Sequence, residues 1–228
     1  GPAERRRFID MELSQMRPAY YQALQRYNRA LLQRGTLLRT GDLTCLDAWD
    51  EQLAKYGAAI MRARIAFSEK LSAIARAVHR DISGGEELRL EYRPGAKAEP
   101  EEGALMTLLR AARPQDERRL TTSVGPHRDD LLFFIAGADA RAYGSQGQQR
   151  TLALSLKLSE LEVMKDETGE YPVLMLDDVM SELDPDRRRL LLTRLDGVQT
   201  LIASTDPADL AGARVDLSVR VEAGKLHL

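Results

Sequence analysis

Leu46, Trp49, Leu53, Tyr56, Ile60, Ala63, Phe67, Leu71, Ile74 and Val78 recur in steps of three and four. Such spacing marks one face of a helix and is close to a heptad repeat. The run holds no proline and one interior glycine, Gly57. A helix of this length reaches about 50 Å at 1.5 Å per residue. An apolar stripe that long must be covered by another long element. A matching stripe precedes it, at Leu13, Met16, Tyr20, Leu24, Tyr27 and Leu31, with Asn28, Gln33 and the arginines off it. Gly35 can end that first helix, and Gly41-Asp42 makes a turn. Two long amphipathic helices joined by a short loop are expected to fold back as an antiparallel pair.

Ser83-Gly84-Gly85 then breaks the pattern. Leu88–Tyr92 alternates as a strand does, Pro94-Gly95 turns, and Gly103–Ala112 reads as a short helix. Beyond it, strands are expected at Leu120–Val124, Leu131–Ile135, Val173–Leu176, Leu201–Ala203 and Val215–Val221. Helices are expected at Ser145–Lys165 and Asp186–Leu195. Alternating strands and helices predict an α/β fold with a mostly parallel sheet. The expected division is residues 1–10 as the end of a head segment, 11–113 as a helical arm with a small strand region at 88–92, and 114–228 as head.

The 228 residues suit one large domain or two modest ones. No apolar run approaches the roughly 20 residues that span a bilayer, and the first ten residues have no signal-peptide core. One cysteine, Cys45, allows no internal disulfide and reads as a helix-start or core residue. These features point to the cytoplasm and away from a membrane. Net charge is −2, but residues 1–80 hold 14 basic and 8 acidic groups, and residues 114–228 hold 14 and 20. The basic half is either a solvated helix surface or an arm that meets phosphate backbones. Candidates for the second role are Arg26, Arg29, Arg62, Arg64, Arg76 and Arg80.

Val173-Leu174-Met175-Leu176 reads as a fully buried strand, and it ends in two carboxylates, Asp177 and Asp178. Ligands of open α/β sheets bind at the carboxyl ends of strands. There Asp177 could hold Mg²⁺ through a bound water, and Asp178 could take a proton from an attacking water. This is the Walker B pattern; an acidic strand-to-loop turn is the plain alternative. The sequel Ser181-Glu182-Leu183-Asp184 is similar to the D-loop of ABC-type ATPases. Ser145 and Gln148 have capping-box spacing before a leucine-rich helix. A capped helix N-terminus also suits a phosphate, with Gly144 and Gly147 letting a ligand approach the backbone. Ser145, Gln146, Gly147 and Gln148 correspond to the ABC signature motif, which meets nucleotide held by the other subunit. Thr205 stands where ABC transporters commonly carry a switch histidine, which argues against a transporter subunit.

Four ordered blocks carry a wider resemblance. Arg5-Arg6-Arg7-Phe8-Ile9-Asp10 after Pro2, Gly125-Pro126-His127-Arg128-Asp129-Asp130-Leu131, Tyr143–Arg150 and Leu176–Asp184 resemble signature segments of the RecF family, in that family's order. The resemblance implies a partial ABC-type ATPase head with an inserted antiparallel helical arm. It implies ATP and Mg²⁺ as cofactors and an ATP-dependent homodimer on double-stranded DNA or single/double-strand junctions. It also implies action with RecO and RecR to load RecA at gaps, with roles in DNA replication, recombination, repair and the SOS response.

No G-x-x-x-x-G-K-[ST] loop occurs; the single Gly-Lys, Gly224-Lys225, has Val219 where the first glycine belongs. The N-terminal half of the head is therefore expected to be missing, and this chain alone is expected to be inactive and to bind no cofactor. The alternatives are a non-catalytic dimerisation or partner-binding module, or another SMC-like ATPase. His127 and Arg128 stay open between a structural turn, with Arg128 paired to a nearby acid, and a contact to nucleotide or DNA.

Overall fold

A computed structural model describes residues 1–227. The chain forms two compact units, Gly1–Gly169 and a second that begins at Glu170. The boundary expected after residue 113 falls inside a helix instead.

In the first unit, helix α1 spans Pro2–Met16 and α2 spans Pro18–Thr40. The apolar stripe from Leu13 to Leu31 predicts one helix across this break. Pro18 forces the preceding Arg17 into an extended conformation (φ −132°, ψ 95°), so the chain must restart. Gly35 does not end α2. Gly41 does, in the left-handed conformation at φ 75°. Helix α3 runs Leu46–Ser83 and ends at Gly84, φ 76°. The contacts Tyr20–Arg64, Arg26–Tyr56 and Arg34–Asp50 step in opposite directions along the two helices, so α2 and α3 are antiparallel as the stripes require. Tyr27, Leu53, Ile60, Phe67 and Leu71 lie in their shared core.

Strand β1 (Leu88–Arg93) follows, then helix α4 (Glu102–Arg119), which outruns the expected Ala112 and passes through Pro114. The strand expected at Leu120–Val124 does not form. Leu120 caps α4 at φ 53°, and the Ser123 N–H and hydroxyl both donate to Asp116 Oδ1, which answers locally the polar groups a ladder would use. Strand β2 (Asp130–Ile135) pairs antiparallel with β1, Leu88 opposite Ile135, and with the short β3 (Ala138–Asp139). Helix α5 (Gln146–Thr168) completes the unit and packs on α3.

In the second unit β4 (Leu174–Asp177) and β5 (Thr200–Ala203) are parallel, with helix α6 (Pro185–Arg194) between them in sequence. A hairpin, β6 (Arg220–Glu222) with β7 (Lys225–His227), lies near the end; it is shorter than the strand expected from Val215. The α/β class is the expected one, but parallel pairing joins only β4 and β5 among the described residues. The β4 strand is not fully buried either. Leu176 points inward, while Val173, Met175 and Leu201 are 53%, 77% and 56% exposed. No helix among the described residues is long and apolar enough to cross a membrane.

Candidate functional site

Ser145 is the N-cap of α5, with its own backbone extended (φ −62°, ψ 161°). Its Oγ accepts from the Gln148 N–H at 3.1 Å, and its N–H donates to Gln148 Oε1 at 3.0 Å. That is a complete capping box, and Ser145, Gln146 and Gly147 remain exposed around it. The neighbouring glycines differ in kind. A side chain on Gly144 would put its Cβ 2.4 Å from the Ala140 carbonyl oxygen, so the chain's own fold requires that glycine. A Cβ on Gly147 would meet only Ser145 Oγ, at 3.9 Å. Gly147 lies in helical conformation, where glycine costs about 0.5–1 kcal/mol relative to alanine. Nothing among the described residues requires it.

In the second unit, the carboxyl ends of β4 and β5 lie side by side, Asp177 opposite Ala203. The Asp178 N–H donates to the Ala203 carbonyl at 3.0 Å, which sets Asp178 next to the Ser204-Thr205 turn. Asp178 has φ 52°, a left-handed conformation that a non-glycine residue adopts at a cost. Aspartate and asparagine tolerate it best, because their short polar side chains bond locally. The Ser181 hydroxyl donates to the Asp178 carbonyl at 2.9 Å and pins the turn. Asp184 caps α6, its Oδ1 accepting from the Arg187 N–H at 2.9 Å. Ser204 donates to Asp209, which also pairs with Arg188 at 2.9 Å, while Thr205 is exposed. Asp177, Asp178, Ser181 and Thr205 thus share one end of one small sheet, and Asp184 starts the helix that follows. No group of three or more His, Cys, Asp or Glu among the described residues could hold a metal ion. Mg²⁺ takes one or two carboxylates and completes its shell with water and phosphate oxygens; Asp177, at the carboxyl end of β4, is the carboxylate that could supply one.

The Gly125–Asp130 block is a polar lock within the first unit. Gly125 has φ 130°, and a Cβ there would come 2.3 Å from the Tyr27 hydroxyl. His127 lies between Tyr27 Oη at 2.7 Å and the Thr122 carbonyl at 3.0 Å. A carbonyl can only accept, so Nε2 carries the proton and Nδ1 accepts from the Tyr27 hydroxyl. Burial holds the ring neutral, its pKa pushed down to about 4. Arg128 is the outward member; its guanidinium donates to the Thr122 carbonyl at 3.0 Å. Asp130 takes a two-pronged ion pair from Arg5 at 2.8 Å for each contact, joining two of the sequence blocks.

Arg64 corrects the sequence reading. It is 2% exposed and bonds Asp129 and the Pro126 carbonyl at 2.7 Å, Asp10 at 2.8 Å and Tyr20 at 3.1 Å. It cannot meet a phosphate backbone. Its position beside the apolar stripe puts it against the Gly125–Asp130 block, where carboxylates replace its water. Arg34 is buried in the same way between Asp50 and Asp116. Arg26, Arg29, Arg62, Arg76 and Arg80 are exposed, with Arg62 donating to the Pro100 carbonyl at 2.6 Å and Arg26 to Tyr56 at 2.8 Å. Sequence reasoning passed over Glu86, which accepts from Gln148 Nε2 at 2.7 Å. Its signal was the Ser83-x-x-Glu86 spacing directly after a long helix.

The chain is similar to proteins named DNA replication and repair protein RecF. It is 48% identical over 221 residues to that of Halothermothrix orenii, covering 90% of this chain and 59% of that protein. It is 43% identical over 214 residues to that of Clostridium perfringens strain 13, covering 92% and 59%. This chain belongs to the RecF family. It spans about three-fifths of the length of the curated relatives it matches. Two solved structures agree along nearly the whole chain. RecF with ATP, a recombination mediator of the RecFOR pathway, matches at TM-score 0.87 and 36% identity, over 100% of this chain and 63% of that one. Its ATPrS form matches at 0.87 and 38%, over 99% and 63%. No family model matches.

Proposed function

We propose that this RecF chain is part of an ATP-dependent DNA recombination and repair protein, and that it presents the α5 N-terminus to ATP held by a second copy. Gly147 carries the reading. Its helix end is open, its glycine has no internal reason, and free N–H groups with the positive end of the helix dipole suit a phosphate. The similarity to RecF solved with ATP supports the same reading.

The second unit supplies the other half of the chemistry. Asp178 accepts a proton from the water that attacks the terminal phosphoryl group, and ADP leaves. Asp177 would hold Mg²⁺ through water, and that ion would offset phosphate charge. Ser181 and Asp184 shape the turn that follows, and Thr205 offers a hydroxyl beside it. Two copies closing around nucleotide would bring two arms onto one double-stranded DNA or junction and raise avidity. In that assembly the protein acts with RecO and RecR in loading RecA at gaps.

In full-length protein, Ser145→Arg is expected to leave each copy's ATP affinity intact and to block ATP-driven dimerisation, read by light scattering. Normal dimerisation would reduce Ser145 to a helix cap.

A further inference from the structure

We infer that Glu86 is a positioning residue for the phosphate-facing end of α5, and that it ties this end to the long arm helix α3. The inference rests on the signature reading above. Gln148 makes two opposed contacts with one amide: Oε1 accepts from the Ser145 N–H at 3.0 Å, and Nε2 donates to Glu86 Oε1 at 2.7 Å. An amide has one accepting and one donating end. The carboxylate therefore selects the rotamer that caps Ser145, because the flipped amide would set donor against donor and acceptor against acceptor. Without Glu86 that selection is lost, and the helix end can sample both orientations.

Glu86 is itself held by the arm. Gly84 and Gly85, at φ 76° and 115°, turn the chain sharply off α3, and the Glu86 N–H donates to the hydroxyl of Ser83, the last residue of that helix, at 2.9 Å. One turn earlier, the buried His79 ring contacts Ser155 of α5 at 3.0 Å and places Nε2 3.9 Å from Glu86 Oε2. A continuous hydrogen-bonded path thus runs from Ser83 through Glu86 and Gln148 to Ser145. A shift at the end of α3 reaches the proposed phosphate-facing helix end along this path.

Steady-state ATP hydrolysis by full-length protein tests this, with melting temperature followed in parallel. Glu86→Ala and Glu86→Lys remove the acceptor and are expected to lower kcat about tenfold or more, with KM for ATP unchanged. Glu86→Gln keeps an oxygen facing Gln148 and is expected to hold kcat within about threefold of the parent. Melting temperatures should stay within about 3 °C throughout. Unchanged kcat in Glu86→Ala overturns the inference. So does equal loss in Glu86→Gln and Glu86→Ala, or loss that tracks melting temperature, since either marks a structural charge. Ser145→Arg run alongside separates the two levels: if it dimerises and turns over normally, the signature reading fails and takes this inference with it.

Discussion

Arg64 Nη1 and Asp129 Oδ2 meet at 2.7 Å where neither side chain reaches solvent. Asp129 also accepts from the Gly95 N–H at 2.7 Å and from the Tyr92 hydroxyl, so one carboxylate joins α3, the turn after β1, and the start of β2. Removing one partner of such a pair leaves the other charged and dry, which costs about 3–5 kcal/mol. Arg64→Ala and Asp129→Ala are each expected to lower the melting temperature by roughly 10 °C, while Arg76→Ala changes it little. Calorimetry checks this; a mild effect of both buried variants would mean the lock is dispensable.

Much of this was legible beforehand. The α2–α3 pair followed from apolar steps of three and four, and the Ser145–Gln148 cap from spacing alone. Pro18 stands in the sequence, but the apolar stripe continues across it and masks the break. The burial of Arg64 was not legible, because the acids that neutralise it, Asp10 and Asp129, are remote in sequence and meet it only through tertiary packing. The exposed face of β4 was hidden for another reason: four apolar residues in a row look the same whether one face or both are covered.

Glu160 on α5 faces Glu12 on α1, with Lys157 bonding Glu160 at 2.7 Å. Burial first, and the Glu12 charge second, push the Glu160 carboxyl up from 4.5 to about 8. The folded state therefore holds a proton that the unfolded state gives up. This contribution is fully present below about pH 4.5 and is lost as pH rises to about 8. Glu160→Gln is expected to flatten that decline and to melt several degrees above the parent near pH 8. Parallel melting curves across that range would contradict the account.

The DNA reading makes a separate demand. Each phosphate neutralised contributes about −0.9 to the slope of log affinity against log salt. In full-length protein, joint charge reversal of Arg62, Arg76 and Arg80 should flatten the slope by about two to three without unfolding the arm, since all three are exposed. An unaltered slope in the folded variant would move the DNA site elsewhere.

For the chain alone, negligible ATP affinity is expected, because no G-x-x-x-x-G-K-[ST] segment is present to cradle the phosphates. Titration with labelled ATP and Mg²⁺ checks it, and micromolar binding would show that other residues supply the cradle.

The central claim is that the open end of α5 meets a phosphate held by another copy, and Gly147→Ala in full-length protein tests it most directly. Alanine fits the helix with only Ser145 Oγ nearby, so the variant should fold at least as stably as the parent. Under the proposed function, its methyl group stands where the phosphate would approach the backbone. Light scattering with ATP should therefore show monomers at concentrations where the parent dimerises. Full ATP-driven dimerisation by the stable variant would contradict the account.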